Sequence, residues 1–191
     1  MESRIDKQIS FLKEVDALKS INRATYLANR SRKENSAEHS WHVALFALIF
    51  AEQANKEVDV YKAIKMLLLH DIVEIDVGDN PIFGNYNANK VANSEAKAAN
   101  RIFGLLPADQ ASEMQGIWLE FESASTATAQ FAKSMDRFQA PTQNLISKGG
   151  SWKDYDVTFE QVEKKVGSQI ALAVPKLWAW LKPRVKAFLS N

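Results

Sequence analysis

Apolar residues recur at helical spacing over most of the chain. In the first segment Ile5, Ile9, Leu12, Val15 and Leu18 fall on one face, the spacing of an amphipathic helix. The pattern breaks over residues 22–35, NRATYLANRSRKEN, which reads as a basic connection. It resumes at Ser36, a good N-cap residue. Glu38 follows in the first turn, where the helix dipole favours an acid. That helix is predicted to run to about Asn55. Asp59 caps a third helix ending near His70. Late in its course, at Met66–Leu69, it is apolar on most sides, as a central buried helix would be.

The segment Val77–Gly84, VGDNPIFG, is rich in turn formers. Further helices are predicted over 92–105, stopping before Pro107, and over 108–122 and 126–146. Gly149 and Gly150 mark a break. From Asp156 helical periodicity continues to the end, with Pro175 and Pro183 as kinks or junctions. No segment alternates convincingly as a strand. The expected fold is all-α, one compact bundle of roughly seven or eight helices. It forms a single domain over 1–191, with 151–191 packed on it as a helical extension.

The 191 residues are 46% hydrophobic and 25% charged, a globular composition. The net charge of +1 gives no general attraction to nucleic acid or an anionic membrane, so any phosphate binding must come from local charge. Cysteine is absent, so a bound metal would need His, Asp or Glu. The N-terminal stretch MESRIDKQISFLKEVDALKS lacks the apolar region of a signal peptide. Val43–Ala51 and Met66–Leu69 are too short to cross a bilayer. A cytoplasmic protein is expected, with neither nucleic acid nor membrane as partner.

All three histidines lie between positions 39 and 70. His39 and His42 are three residues apart and can share a helix face. His70 closes the next helix and Asp71 follows it. Singly, each histidine reads more readily as a hydrogen-bonded core residue than as a ligand. The setting changes the picture. The segment 66–79, MLLLHDIVEIDVGD, carries an apolar helix into His70-Asp71 and then supplies Glu74, Asp76 and Asp79. Acids crowded at the end of a buried helix are costly without a cation. Asp76 alone also reads as solvated. In KSMDRFQA, 133–140, Asp136 is flanked on its own face by Ala132 and Ala140. Aspartate is a poor mid-helix residue. It reads either as an exposed ion pair with Lys133 or Arg137, or as a ligand reaching the same site from a distant helix.

The order His39, His70-Asp71, Asp136 resembles the H…HD…D signature of the HD-domain metal-dependent phosphohydrolases. KENSAEHS at 33–40, LLLHDIVEIDVGDNP at 67–81 and FAKSMDRFQA at 131–140 resemble the matching blocks of the bacterial HD-domain 5′-deoxynucleotidases. They resemble the HD domain-containing protein 2 group at least as closely, as does IWLEFESASTATAQFAK at 117–133. The resemblance covers roughly residues 10–150.

The resemblance implies one divalent ion held by His39, His70, Asp71 and Asp136. It implies Glu74 and Asp79 as the acids of catalysis, and Arg23, after Ile21-Asn22, as a phosphate contact. His42 matches no ligand position and reads as structural. The implied reaction is hydrolysis of nucleoside 5′-monophosphates, deoxyribonucleotides favoured, in a homodimer. This donor set accepts Mn²⁺, Co²⁺, Fe²⁺, Mg²⁺ or Zn²⁺. Arg30, Arg32 and Lys33 read as a solvated basic loop or as help for Arg23. One position departs from the pattern: Ala24 stands where the bacterial enzymes carry a tryptophan that helps exclude the ribose 2′-hydroxyl. Tyr26 and Trp41 are candidate replacements. Trp178 and Trp180 read as dimer-interface residues or, more simply, as buried within one subunit. The competing readings are a cyclic-nucleotide phosphodiesterase, a nucleotide pyrophosphohydrolase and a non-catalytic nucleotide-sensing module. Retention of Glu74 and Asp79 argues against the last.

Overall fold

The structure, a computed structural model, describes residues 2–190. Within them the fold is all-α, with eight α-helices of six residues or more. These are α1 (Arg4–Val15), α2 (Ser36–Phe50), α3 (Val60–Leu69), α5 (Ala88–Phe103), α6 (Ala108–Ser123), α7 (Ala127–Ile146), α9 (Ser168–Ala173) and α10 (Pro175–Leu189). Single turns, α4 (Glu74–Val77) and α8 (Phe159–Val162), complete the set. A π-helical turn over Glu163–Gly167 joins α8 to α9.

The caps explain several boundaries. Asp59 caps α3 by accepting from the Lys62 amide at 2.9 Å. The cap of α2 is Asn35 rather than the expected Ser36: Asn35 and Glu38 form a reciprocal capping box. Ser36, freed from capping, is buried and turned inward. Pro175 opens α10 at a position that needs no amide donor, whereas Pro183 lies inside α10 without ending it.

Residues 22–35 depart from the expected irregular connection. They form an antiparallel hairpin, β1 (Asn22–Tyr26) with β2 (Lys33–Asn35), the only sheet among the described residues. The turn closes through the Leu27 amide on the Arg32 carbonyl at 3.0 Å, with Arg30 left-handed at φ 62°. Gln143 of α7 donates to the Tyr26 carbonyl at 3.1 Å and ties the hairpin to the bundle.

The apolar face expected for the first segment holds at its end, where Leu18 is buried and Val15 packs on the core, but not along α1 itself. Ile5, Ile9 and Leu12 stand 69%, 55% and 62% exposed, while Phe11 is buried. Phe11 stacks on Phe103 of α5 at 6.2 Å, and Arg4 makes a two-point ion pair with Asp109 of α6. Contacts distant in sequence thus turn the helix by its Arg4, Gln8 and Phe11 side.

The core has two clusters. One joins α2, α3, α7 and the C-terminal helices around Val43, Met66, Leu67, Phe131 and Met135. The other joins α1, α5 and α6 around Phe11, Ile102, Phe103 and Trp118. Full burial of a side chain of this size contributes about 1.5–3 kcal/mol. Leu69 packs against both clusters, so His70 and Asp71, which follow it, emerge at the seam between them. In the tail, Trp178 packs across Gly167, whose missing side chain makes the room.

Candidate metal centre and active-site cavity

Three helices and the hairpin aim polar side chains at that seam. His39 sits one turn into α2. His70 caps the end of α3, where its Nδ1 meets the Leu67 carbonyl at 2.8 Å and leaves Nε2 facing inward. Asp136 lies midway along α7. One ligating atom from each of His39, His70 and Asp136 falls within 4.8 Å of the others, and all three residues are buried. Asp71 joins them, with Oδ1 3.0 Å from His70 Nε2 and Oδ2 3.9 Å from His39 Nε2. The four residues singled out in the sequence are therefore together, although Asp136 comes from a remote helix.

This donor set suits a divalent cation. The His70 Nε2 atom is buried without a hydrogen-bond partner and faces two carboxylates. Two imidazoles and two carboxylates match the intermediate-hardness ligands of first-row divalent ions.

Glu74 and Asp79 flank the group. Glu74 opens α4, and its Oε2 accepts from Ser36 Oγ at 2.5 Å. Gly78, at φ 74°, turns the chain sharply after α4 in a conformation that L side chains rarely adopt. Asp79 then reaches the Ala24 amide at 3.3 Å. Arg23, on β1, lies among the carboxylates: its Nη1 is 2.8 Å from Asp71, 3.7 Å from Asp79 and 3.8 Å from Glu74.

Burial and mutual charge divide the acids. Burial pushes Glu74 up, the neighbouring Asp71 charge pushes it further, and it reaches about 8. Burial likewise raises Asp79, against the pull of Arg23. Asp71 is the reverse: burial would raise it, but the charges of His70 and Arg23 hold it down at about 2. Burial would also raise Asp136, yet Arg137 and the two histidines hold it well below the usual range. His70 would be lowered by burial, and Asp71 and Asp136 instead lift it to about 10. Glu74 and Asp79 are thus shifted toward their protonated forms, and Asp71 and Asp136 away from them. The split separates the two carboxylates beside the histidines, kept ionised, from the two that flank them, and perturbed acids of this kind cluster at functional sites.

With the fully buried His39 behind them, Arg23, His70, Asp71, Glu74, Asp79 and Asp136 line a cavity of about 310 Å³. Lys133 and Arg137 of α7 line it, with Arg137 Nη1 3.3 Å from Asp136. In the sequence these two read only as ion-pair partners of Asp136. Their spacing of three and one from Asp136 on one helix was the available signal. The far walls come from Ile82, Phe83 and Tyr86 after α4 and from Trp152 and Tyr155 in the tail.

Other candidates fall elsewhere. Asp76 pairs with Arg101 of α5 at 2.7 Å. Arg32 pairs with Glu38 at 2.8 Å, Lys33 lies over the Tyr26 ring, and Arg30 faces a separate surface recess. His42 packs edge-on against Phe46 and lies 3.3 Å from Gln139 Nε2. Neither Tyr26 nor Trp41 is among the cavity-lining residues: Tyr26 faces the same recess as Arg30, and Trp41 is 60% exposed on α2. Trp178 is part-buried in its own subunit's core, and Trp180 is partly exposed beside Arg184.

The HD-domain family profile matches residues 15–178. The chain belongs to the HD-domain phosphohydrolases. The match reaches beyond residue 150 into α10. Among solved structures, the chain is similar to a predicted metal-dependent phosphohydrolase from Magnetospirillum magnetotacticum MS-1. Identity there is 43%, with TM-score 0.91 over 99% of this chain and 97% of that one. The PH0347 protein from Pyrococcus horikoshii OT3 shares the fold at 24% identity and TM-score 0.70, over 94% and 99% of the two chains. Among curated relatives, 5′-deoxynucleotidase HDDC2 of Homo sapiens is 30% identical over 78% of this chain and 76% of its own length. The 5′-deoxynucleotidase hdd1 of Schizosaccharomyces pombe is 30% identical over 71% and 69%. No helix among the described residues is long and apolar enough to cross a membrane.

Proposed function

We propose that this chain is a metal-dependent phosphomonoesterase that hydrolyses nucleoside 5′-monophosphates, deoxyribonucleotides among them, as a cytoplasmic homodimeric enzyme in which 151–191 belongs to the same domain as the rest. The observation that carries the reading is the convergence of His39, His70, Asp71 and Asp136 beside Glu74 and Asp79, two acids of raised pKa that line the same cavity as His70, Asp71 and Asp136. The names of the curated relatives point to the same substrate class.

His39, His70, Asp71 and Asp136 would hold one divalent ion, with Mn²⁺ and Co²⁺ as first candidates. When bound, the ion lowers the pKa of a water and offsets phosphoryl charge. Glu74, held by Ser36 and raised toward neutrality by burial, orients the attacking water and takes its proton. Asp79, whose burial favours its protonated form, gives a proton to the departing sugar 5′-oxygen as the P–O bond breaks. Arg23 binds the phosphate oxygens and keeps them in line. The buried walls around His39 and His70 exclude bulk water.

The test is phosphate release from a panel of nucleoside monophosphates with metal-free protein reloaded with Mn²⁺ or Co²⁺. Release of inorganic phosphate from 5′-monophosphates supports the reading. Turnover confined to cyclic nucleotides, or release of pyrophosphate from triphosphates, would replace it with the competing activities. Binding without turnover would leave a nucleotide sensor.

A further inference from the structure

Behind the cavity lies a set of unmatched groups that neither the ligand set nor the proposed acid–base pair uses. Glu34, on β2, is 2% exposed and does not line the cavity. Its Oε1 has no hydrogen-bond partner. It stands 3.6 Å from His39 Nδ1 and 3.6 Å from Arg23 Nε. Both of those nitrogens are buried and also lack a partner. One acceptor therefore sits between two orphaned donors. A movement of about half an ångström brings either donor into hydrogen-bond range. The other oxygen, Oε2, is fixed from behind by Gln139 Nε2 at 3.3 Å. Gln139 is fully buried on α7, three residues past Asp136, so the helix that supplies a candidate ligand also braces Glu34.

The two histidines are oriented by different means. His70 has a backbone carbonyl at Nδ1, which any sequence would offer. His39 has only the Glu34 side chain on that side. A metal-binding histidine generally donates its second N–H to a carboxylate or carbonyl, which fixes the tautomer and the ring angle.

We propose that Glu34 is a positioning residue that holds two parts of the site at once: it fixes His39 with Nε2 toward the ion, and it anchors the Arg23 side chain so that Nη1 reaches the phosphate. The inference rests on the functional reading above for its Arg23 half. The hairpin thereby couples the ion's seat to the phosphate's seat, since β1 carries Arg23 and β2 carries Glu34.

The experiment uses Glu34→Ala and Glu34→Gln in the full chain. Co²⁺ titration of metal-free protein should show affinity weakened by about 10–100-fold in Glu34→Ala. Glu34→Gln, which keeps one oxygen acceptor, should weaken it less. In Zn²⁺-loaded, ¹⁵N-histidine-labelled protein the His39 Nδ1–H signal should lie far downfield and move upfield in both variants. At saturating Co²⁺ the KM for a nucleoside monophosphate should rise more than kcat falls, and Arg23→Ala should add little to Glu34→Ala in KM. A variant with lowered Tm but wild-type Co²⁺ affinity and an unmoved His39 signal would show a plain core role and overturn the proposal. Should Glu34→Ala fail to fold, Glu34→Gln alone decides on the same two readouts. If wild-type protein hydrolyses no nucleotide, the functional reading fails while the titration and the His39 signal still judge Glu34. If it hydrolyses nucleotides and both variants bind Co²⁺ as wild type does, Glu34 alone is wrongly assigned.

Discussion

At the closed end of the cavity His70, Asp71, Glu74 and Asp136 are buried, with His39 buried behind them, and each lies against at least one other charged or polar group of the site. At the open end Ala24, Ile82 and Phe83 are half-buried, Tyr86 and Tyr155 are exposed, and much of the wall is apolar or aromatic. The first region is over-determined: removing one group leaves others buried and unpaired, which costs more than the lost contact itself. The second is loosely specified, so substitutions there alter what is admitted without disturbing the fold. Changes at the closed end should therefore be large and coupled, and changes at the open end small and selective.

The largest effect should come from Asp71→Ala. Asp71 touches His70, His39 and Arg23 together. The variant should lose both metal, by elemental analysis, and phosphate release. A variant that keeps its metal and its turnover would remove Asp71 from the ligand set. Glu74→Ala should separate the two functions, because Glu74 lies beyond the proposed ligands. Its metal content should stay near wild type while kcat falls on the order of 10²–10⁴-fold, the usual worth of acid–base help. Near-normal turnover would assign the base elsewhere.

The same region predicts a pH dependence. His70 stands at about 10 against an ordinary 6.5, and Glu74 at about 8 against 4.5. Both bind a proton more tightly in the folded chain than in the unfolded one. Their stabilisation is complete below the unfolded values and fades as pH rises through the folded ones. Asp71, held at about 2, acts in the opposite sense, but only below its ordinary 3.8. Metal-free protein should therefore lose Tm as pH climbs from about 6.5 to 9. A cation takes the deprotonated ligands, so the Tm gap between Mn²⁺-loaded and metal-free protein should widen over the same range. Thermal unfolding with and without chelator measures it, and a gap that narrows with pH would contradict the charge pattern.

The closed end was also the legible end. His70, Asp71, Glu74 and Asp79 lie within ten residues, so their crowding shows in the sequence itself. Asp136 stands out as an acid in mid-helix, a signal that fits an exposed ion pair as well as a ligand. What stayed hidden depended on partners far along the chain. Residues 22–35 hide a hairpin because its buried members, Thr25 and Glu34, are polar, and burial of polar groups leaves no hydrophobic alternation to read. The buried side of α1 is hidden because Phe11 outweighs Ile5, Ile9 and Leu12 only once Phe103 of α5 is in place. The aromatic wall of the cavity joins the segment after α4 to the tail, and no local pattern links the two.

The smallest effect, and the one specific to the open end, concerns the sugar. Rejecting one hydroxyl requires a group that clashes with it or leaves it unpaired. Ala24 lies on the cavity wall directly after Arg23, and its methyl group fills little space. Tyr26 and Trp41, the residues that could have substituted for a bulky ring, face away from the cavity. Wild-type protein should therefore discriminate weakly between matched deoxyribonucleoside and ribonucleoside 5′-monophosphates in kcat/KM. Ala24→Trp should raise that ratio by about 10-fold, the scale of a single steric contact in a pocket. The backbone amide of residue 24 would still reach Asp79, so kcat for the deoxy substrate should change little. Strong deoxy preference in the wild type, unchanged in Tyr26→Ala and Trp41→Ala, would move the filter to the aromatic wall. Tyr86→Ala and Phe83→Ala would then become the variants expected to abolish it, because those rings also line the cavity and are bulky enough to clash with a hydroxyl.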